Sequence, residues 1–190
     1  MSPPTASPRA VLCKRPRILD LGNHAKVSQI LREIAPTAEF SWYSEEVRIV
    51  ARKWLLLGRQ HLRVADSLAP TPKNWRAAVS RCYYAVYSIS RCIRYLSRGF
   101  VKFDAEDHKL VGDLPDDFPQ KDDWSTFLVE MRLDRNIADY EPWDGTRALL
   151  VRTPQESVER AKEFLNESKA FLRTRGLGKL NGIHNTVRRG

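Results

Sequence analysis

The segment RLDRNIADYEPW, residues 132–143, places side chains that can handle a phosphate at the end of a predicted helix. Pro142 biases the residue before it away from the α conformation, so the helix should end near Tyr140. Asp139 then falls in the last turn, where its carboxylate opposes the negative end of the helix macrodipole. Arg135 precedes it at i,i+4, which is the weaker order for a helical ion pair. A carboxylate in this position needs a compensating cation or a function.

Three interpretations of this segment follow from the residue types. In the first, Arg81 of the preceding long helix pairs with Asp139 and Tyr140 in an internal polar network that joins the two helices. In the second, Arg135 neutralises a phosphate of RNA, Asn136 orients it, and Asp139 acts as an acid–base group. In the third, the residues form an ordinary surface ion pair. Only the first predicts that Asp139→Asn destabilises the fold.

His108, in the loop before this helix, is the imidazole closest to the segment in the sequence. Imidazole titrates near neutrality, so His108 is a candidate acid–base residue, and its alternative is a cap or surface residue. The other histidines, His24, His61 and His184, show no ligand spacing. We therefore predict no metal site and no cofactor.

A second candidate site lies on the preceding predicted helix. Between Ser67 and Phe103 the sequence has no acidic residue but seven basic ones. At about 100° per residue, one strip of this helix, here called the Arg–Tyr stripe, is separate from the apolar face. The stripe consists of Arg81, Tyr84, Ser88, Arg91 and Tyr95. Arginines interleaved with tyrosines suit phosphate pairing and base stacking, which predicts binding of single-stranded RNA or another polyanion. The alternative is that the tyrosines pack between helices while the arginines face solvent or acids elsewhere.

The missing acids are gathered in one loop. Residues 104–124, here called the acidic loop, hold eight carboxylates and two lysines. This loop could shield the Arg–Tyr stripe, pair with the stripe of a second subunit, or be a solvated connector. The C-terminal residues after Glu167 are again free of acids, as expected of a tail that meets nucleic acid or another chain.

Hydrophobic periodicity and helix-end signals predict the elements that position these residues. A long helix should run from Ser44, as N-cap, to the break at PTPKN, and Asn74 and Thr153 should cap two others. The remaining helices are predicted at about 24–34, 74–98, 121–140 and 154–174, with a short helix within 104–118. The predicted fold is an all-α, antiparallel up-and-down helical bundle of four to five helices. The predicted segments are a basic, Pro-rich N-terminal segment (1–40), the bundle (41–175) and a basic flexible tail (176–190).

Composition and cysteine usage indicate where in the cell the protein is located. The chain has 190 residues, 42% of them hydrophobic, and no apolar run of about 18 residues that would span a membrane. Its N-terminus has prolines and arginines in place of the apolar core of a signal peptide. Three cysteines without CxxC spacing predict reduced thiols. We expect a cytoplasmic protein with no membrane association.

The segment RCYYAVY lies on the second long helix, and RNIADYEP lies on the third. Together they resemble the HEPN family, the small helical proteins of prokaryotic toxin–antitoxin and defence systems, and the resemblance covers residues 45–172. It implies an up-and-down bundle that usually dimerises. In active members it also implies metal-independent RNA cleavage at a cleft between subunits.

The sequence departs from the active HEPN motif at one position. That motif is Arg, a polar residue, three to five further residues, and His. Arg135 and Asn136 match its beginning, but residues 136–153 contain no His. The chain is similar instead to the subgroup with an Arg-Asn-x-x-Asp-Tyr version of the motif.

The resemblance and the residues together predict a homodimeric HEPN-like component of a toxin–antitoxin or defence system. We expect it to bind single-stranded RNA or a protein partner, such as a nucleotidyltransferase-like antitoxin, with weak or absent ribonuclease activity. The enzymatic alternative is an active metal-independent endoribonuclease that uses Arg135 and Asn136, with Asp139 or His108 as acid–base. The remaining alternative is a purely structural or protein-interaction bundle.

Overall fold

The computed structural model describes residues 23–34, 41–101 and 106–177, and all regular structure in these ranges is helical. The helices are α1 (His24–Ile34), α2 (Ser41–Leu68), α3 (Trp75–Arg98), α4 (Glu106–Lys109), α5 (Lys121–Tyr140) and α6 (Pro154–Thr174), with 3₁₀ turns at Pro72–Asn74 and Thr146–Leu149. The prediction of an all-α fold is confirmed. None of the helices in the described ranges has the length and apolar character needed to cross a bilayer.

Most helix ends lie where local signals predict them. Gly99 ends α3 with φ 80°, a left-handed conformation that favours glycine, and its N–H donates to the Tyr95 carbonyl. Thr153 begins α6 in a capping box with Glu156, and Pro154 is the first helical residue. The last helical residue of α5 is Tyr140, so Asp139 does lie in the last turn.

Two predicted caps differ from the structure. The predicted cap Ser44 lies inside the first turn of α2, which begins at Ser41. The helix begins earlier than predicted, and Tyr43 in its first turn packs into the core at 2% exposure, so tertiary packing supports the added residues. Asn74 precedes α3 as predicted, but its side chain makes no capping hydrogen bond, since α3 is entered directly from a 3₁₀ turn.

The centre of the bundle is α3. Six of the seven residues predicted for its apolar face are buried, and the seventh, Leu96, is half-buried: Cys82, Ala85, Val86, Ile89, Cys92 and Ile93. Burial raises the pKa of both thiols, and both cysteines are free. These two cysteines are therefore core residues. Cys13 lies outside the described residues.

Helices α2 and α3 run antiparallel, because His61 lies against Tyr84 while Trp54, earlier in α2, lies against Tyr95, later in α3. The two backbones approach closely at Gly58. A Cβ there would lie 2.8 Å from the Ile89 Cγ1 atom, so a larger residue would force the helices apart.

Helices α3 and α5 also run antiparallel. Arg76, in the first turn of α3, donates to the Ala138 carbonyl (2.8 Å) near the end of α5 and to Thr146 Oγ1 (3.1 Å). Two turns further along α3, the Tyr84 hydroxyl accepts a hydrogen bond from Arg135 of α5. Arg76 thus satisfies carbonyls at the C-terminus of α5 and places Arg135 beside α3.

The predicted terminal segments are described only in part. Of the basic segment 1–40, the structure describes α1 and the residue before it. Of the tail 176–190, it describes residues 176 and 177. The short helix predicted in the acidic loop is present as α4, and residues 102–105 lie outside the described residues.

Candidate nucleic-acid interface

Helices α3 and α5, which carry the two motif segments, line a pocket of about 720 Å³ together with α4. Its lining combines basic, aromatic and neutral polar side chains: Tyr83, Tyr84, Tyr87, Arg91, His108, Lys109, Arg132, Arg135, Asn136 and Tyr140. No carboxylate is among these lining residues of the described chain. The pocket therefore has the positive potential and the aromatic faces that a nucleotide requires.

Arg135 is the most highly connected side chain of the pocket. Its Nη2 donates to the Tyr84 hydroxyl (3.1 Å) and its Nη1 to Asn136 Oδ1 (3.3 Å). Its Nε lies 2.6 Å from Asp139 Oδ2, an ion pair that lacks the alignment of a hydrogen bond. The guanidinium carbon also lies 4.8 Å from the ring centre of Tyr140, a cation–π distance. A phosphate that binds Arg135 must therefore compete with these internal partners.

His108 lies in the same pocket, although it comes from α4. Its Nδ1 and the Tyr83 hydroxyl share a hydrogen bond of 2.6 Å, and its ring stacks on that of Tyr87 with centroids 4.3 Å apart. Burial, followed by the charge of Arg135, lowers the pKa of His108 below 6.5. The imidazole is thus held in a defined orientation, and its lowered pKa favours the neutral form.

Asp107 attaches α4 to α3. This carboxylate is fully buried, accepts one hydrogen bond of 2.9 Å from each Nη of Arg94, and accepts another of 2.7 Å from the Tyr87 hydroxyl. Burial alone would raise the pKa of Asp107. The hydrogen bonds from Arg94 and Tyr87 and the charges of Arg94 and Arg91 outweigh that effect and hold the pKa below its ordinary value. His108 is the next residue, so this ion pair also sets its position.

The Arg–Tyr stripe is not one continuous surface. Tyr84 and Arg91 line the pocket, and Arg81 is exposed outside it. Ser88 is buried and donates to the Tyr84 carbonyl, and Tyr95 has 0% exposure. Both positions are covered by the fold, since a strip about 80° wide on a central helix borders packed neighbours as well as the pocket. Tyr95 thus packs between helices, as the alternative interpretation predicted for the tyrosines.

The acidic loop pairs with basic residues of the same chain. Asp107 binds Arg94, with Arg91 at 3.6 Å, and Asp113 forms an ion pair with Arg98. The shielding predicted for this loop is therefore intramolecular at these positions. The acid-free run in the sequence reflects ion pairs that are distant in sequence but close in space.

The predicted network between Arg81 and Asp139 is not formed. Within the described residues Asp139 pairs with Arg135 of its own helix, and Arg81 lies on the side of α3 near His61. The polar contacts that join α3 to α5 are instead those of Arg135 with Tyr84 and of Arg76 with the Ala138 carbonyl. Asp139 does have a compensating cation, and this cation is Arg135, four residues earlier on the same helix.

Four pocket residues were not predicted from the sequence: Tyr83, Tyr87, Lys109 and Arg132. Arg132 precedes Arg135 by three residues, so helical periodicity could have placed both on one face of α5. Tyr83 and Tyr87 are buried, at 0% and 8% exposure, and form the inner wall of the pocket, and no local pattern distinguishes them from core residues.

The arrangement has the chemistry of a phosphate-binding site. Arginine and lysine side chains neutralise phosphate, tyrosine rings stack on bases, and Asn136 offers an amide for orientation. In the described part of the chain no group of three or more potential metal ligands lies together. Comparison with known proteins finds no protein-family model, no curated protein and no solved structure that matches this chain.

Proposed function

We propose that this protein is a HEPN-like, RNA-binding component of a toxin–antitoxin or defence system, with weak or absent ribonuclease activity. The main observation that supports this proposal is the pocket between α3, α4 and α5. Four basic side chains and four tyrosines are among its lining residues in the described chain, and no carboxylate is. The two segments that resemble HEPN proteins, on α3 and α5, supply most of this lining. The Arg135–Tyr84 hydrogen bond joins these segments directly.

The ligand class is single-stranded RNA. The Tyr140 side chain is 65% exposed at the edge of the pocket, where an unpaired base can stack on it. Bases within a duplex are stacked on each other and do not offer their faces to a protein in this way. Arg132 and Arg135 lie on the same face of α5 and suit the phosphates on either side of such a base.

Weak or absent cleavage follows from the state of the motif. The motif His is missing from residues 136–153, and the loss of a positioned acid–base group typically lowers a rate by about 10²- to 10⁴-fold. Asp139, the acid–base candidate on α5, forms an ion pair with Arg135. The protein partner we propose is a nucleotidyltransferase-like antitoxin, as the resemblance implies, and the assembly is a homodimer.

The binding proposal is tested by titrating labelled oligouridine RNA at several salt concentrations. Wild-type protein should bind at low salt and lose affinity steeply as salt rises, because phosphate contacts release counterions. Arg132→Gln and Arg135→Gln should each weaken binding and reduce the log–log salt slope by about 0.7. Lys73→Gln, which removes an exposed cation outside the pocket, is the matched control and should change little. Absence of RNA retention at low salt would overturn the nucleic-acid proposal and leave a protein-interaction bundle.

The second candidate function is metal-independent RNA cleavage, and the position of His108 favours it. If Nδ1 donates its hydrogen to the Tyr83 oxygen, Nε2 is free to accept the proton of a ribose 2′-hydroxyl. The 2′-oxygen then attacks phosphorus, the bond to the 5′-oxygen breaks, and that oxygen takes a proton from water. The products are a 2′,3′-cyclic phosphate and a 5′-hydroxyl, while Arg135 neutralises the phosphate.

Cleavage is tested in a chelating buffer with end-labelled RNA. We expect slow cleavage or none from the wild type. Rapid cleavage to 2′,3′-cyclic phosphate ends that is lost in both His108→Ala and Arg135→Ala would establish the ribonuclease. His61→Ala is the control, because His61 lies on α2 and is not among the pocket residues.

A further inference from the structure

A second cluster of basic residues lies on another side of the bundle, between α2 and α6. The two helices run antiparallel there, because Lys162 Nζ lies 2.9 Å from Asp66 Oδ1 at one end. At the other end, a Cβ added to Gly176 would lie 3.7 Å from the guanidinium of Arg48. Sequence numbers therefore rise along α6 as they fall along α2.

This pairing brings three cations together between those ends. Lys169 lies two turns beyond Lys162, about 10 Å along α6, and Arg59 lies the same distance from Asp66 along α2. Arg173 follows Lys169 one turn later on the same face of α6. Arg59, Lys169 and Arg173 are here called the α2–α6 cluster. Burial and the charges of Arg59 and Arg173 lower the pKa of Lys169, which agrees with this proximity.

The α2–α6 cluster has no internal neutralisation among the described residues. At the two ends, acids are paired with other cations: Asp66 binds Lys162, and Glu45 binds Arg48 and Arg52. No ion pair or side-chain hydrogen bond involves the three cations themselves within the described ranges. Like charges held near each other cost folding free energy, so a bound anion would stabilise this site.

The chain beyond this cluster extends the same charge. The C-terminus of α6 lies beside Arg48, and residues 178–190 contain three basic residues and no acid. An extended polyanion suits a positive surface that continues into a basic segment better than a small acidic molecule does.

We propose that the α2–α6 cluster is a second binding site for phosphates of single-stranded RNA, separate from the pocket between α3 and α5. This inference rests on the proposed RNA-binding function and extends it. The pocket would hold one or a few nucleotides, and the cluster would hold backbone phosphates of a longer strand that passes around the bundle. The cluster contributes affinity without base preference, because it offers charge and no aromatic side chain.

The test compares two oligouridine RNAs, one of about four nucleotides and one of about twenty. The triple variant Arg59→Gln, Lys169→Gln, Arg173→Gln should bind the short RNA like the wild type. It should bind the long RNA about tenfold more weakly, with a log–log salt slope reduced by about 2, the value for three phosphate contacts on a single strand. The control triple variant Lys53→Gln, Lys73→Gln, Arg147→Gln has the same net charge and lies elsewhere on the surface.

The outcomes separate this inference from the proposed function. Unchanged long-RNA affinity and salt slope in the α2–α6 variant would overturn the second site, while short-RNA binding would still support the pocket. Both sites are supported if only the pocket variants lose short-RNA binding, while the pocket variants and the α2–α6 variant both bind long RNA more weakly. Equal weakening by the control variant would show a general charge effect and overturn the inference. If the α2–α6 variant instead abolishes self-association and does not change RNA binding, the surface is a protein interface, and the inference is overturned.

Discussion

Arg135 Nε lies 2.6 Å from Asp139 Oδ2, so the carboxylate at the end of α5 is neutralised by the residue that would otherwise bind phosphate. Both side chains are partly exposed, at 18% and 25%. The pair thus competes with an incoming anion for Arg135 and contributes little to folding.

Replacing Asp139 with Asn should therefore strengthen RNA binding. We expect affinity at low salt to rise several-fold, because Arg135 is released and one negative charge is removed beside the pocket. The free energy of unfolding should change by less than about 1 kcal/mol, as for other partly exposed ion pairs. RNA titration and urea denaturation measure the two quantities. The control is Asp144→Asn, an exposed acid outside the pocket lining; an equal gain in affinity there would show a nonspecific charge effect.

Asp107→Asn, in contrast, should strongly lower the free energy of unfolding. Asp107 is fully buried and neutralises Arg94, which is only 2% exposed, so its loss leaves a buried cation without its carboxylate partner. Breaking such a pair costs about 3–5 kcal/mol. Asp113→Asn is the matched control, because it removes a similar pair with Arg98 whose side chains are about one-third exposed, and should cost less than about 1 kcal/mol. Equal losses in the two variants would contradict the structural role of Asp107.

Stability should fall on mild acidification. Burial lowers the pKa of His24 and His108 below 6.5, and burial and the charge of Arg81 do the same for His61. A lowered pKa means that the unfolded chain binds protons more readily than the folded one. The stability that these histidines contribute is therefore fully present above pH 6.5 and is lost as the pH falls toward their pKa values in the folded state. The thermal midpoint should drop between about pH 7.5 and about pH 5.5. A constant or rising midpoint over this range would contradict the prediction.

His24→Gln tests one contribution to that pH dependence. The His24 ring hydrogen-bonds to the Tyr95 carbonyl at 2.7 Å and lies against the Tyr95 ring. The variant should lower stability at neutral pH but show a smaller loss between the two pH values, because one titrating group is gone. An unchanged pH dependence would assign the effect to the other histidines.

Dimerisation remains a prediction. Light scattering at micromolar concentration should give about twice the monomer mass of 21.9 kDa. Because Asp107 and Asp113 pair within one chain, they do not supply the electrostatic contact between subunits that the charge pattern suggested. We therefore expect the dimer to persist in high salt. A monomer mass at moderate salt would reject the assembly.

Local signals in the sequence determined the helices of this protein. Gly99 ends α3 because glycine adopts the left-handed conformation without strain, and Thr153 with Glu156 begins α6 because the two side chains satisfy free backbone N–H groups. The apolar face of α3 follows from helical periodicity alone. The same signals placed Asp139 in the last turn of α5.

Only the tertiary structure decided which of the polar residues share a site. His108 and Arg135 meet because Asp107, the buried residue of α4, binds Arg94 of α3 and holds α4 beside the pocket. Tyr95 is not part of the pocket, because His24 of α1 and Trp54 of α2 pack against its ring. Helix ends and faces depend on residues a few positions apart, whereas loop placement and the covering of a helix depend on contacts between distant segments, which no local pattern encodes.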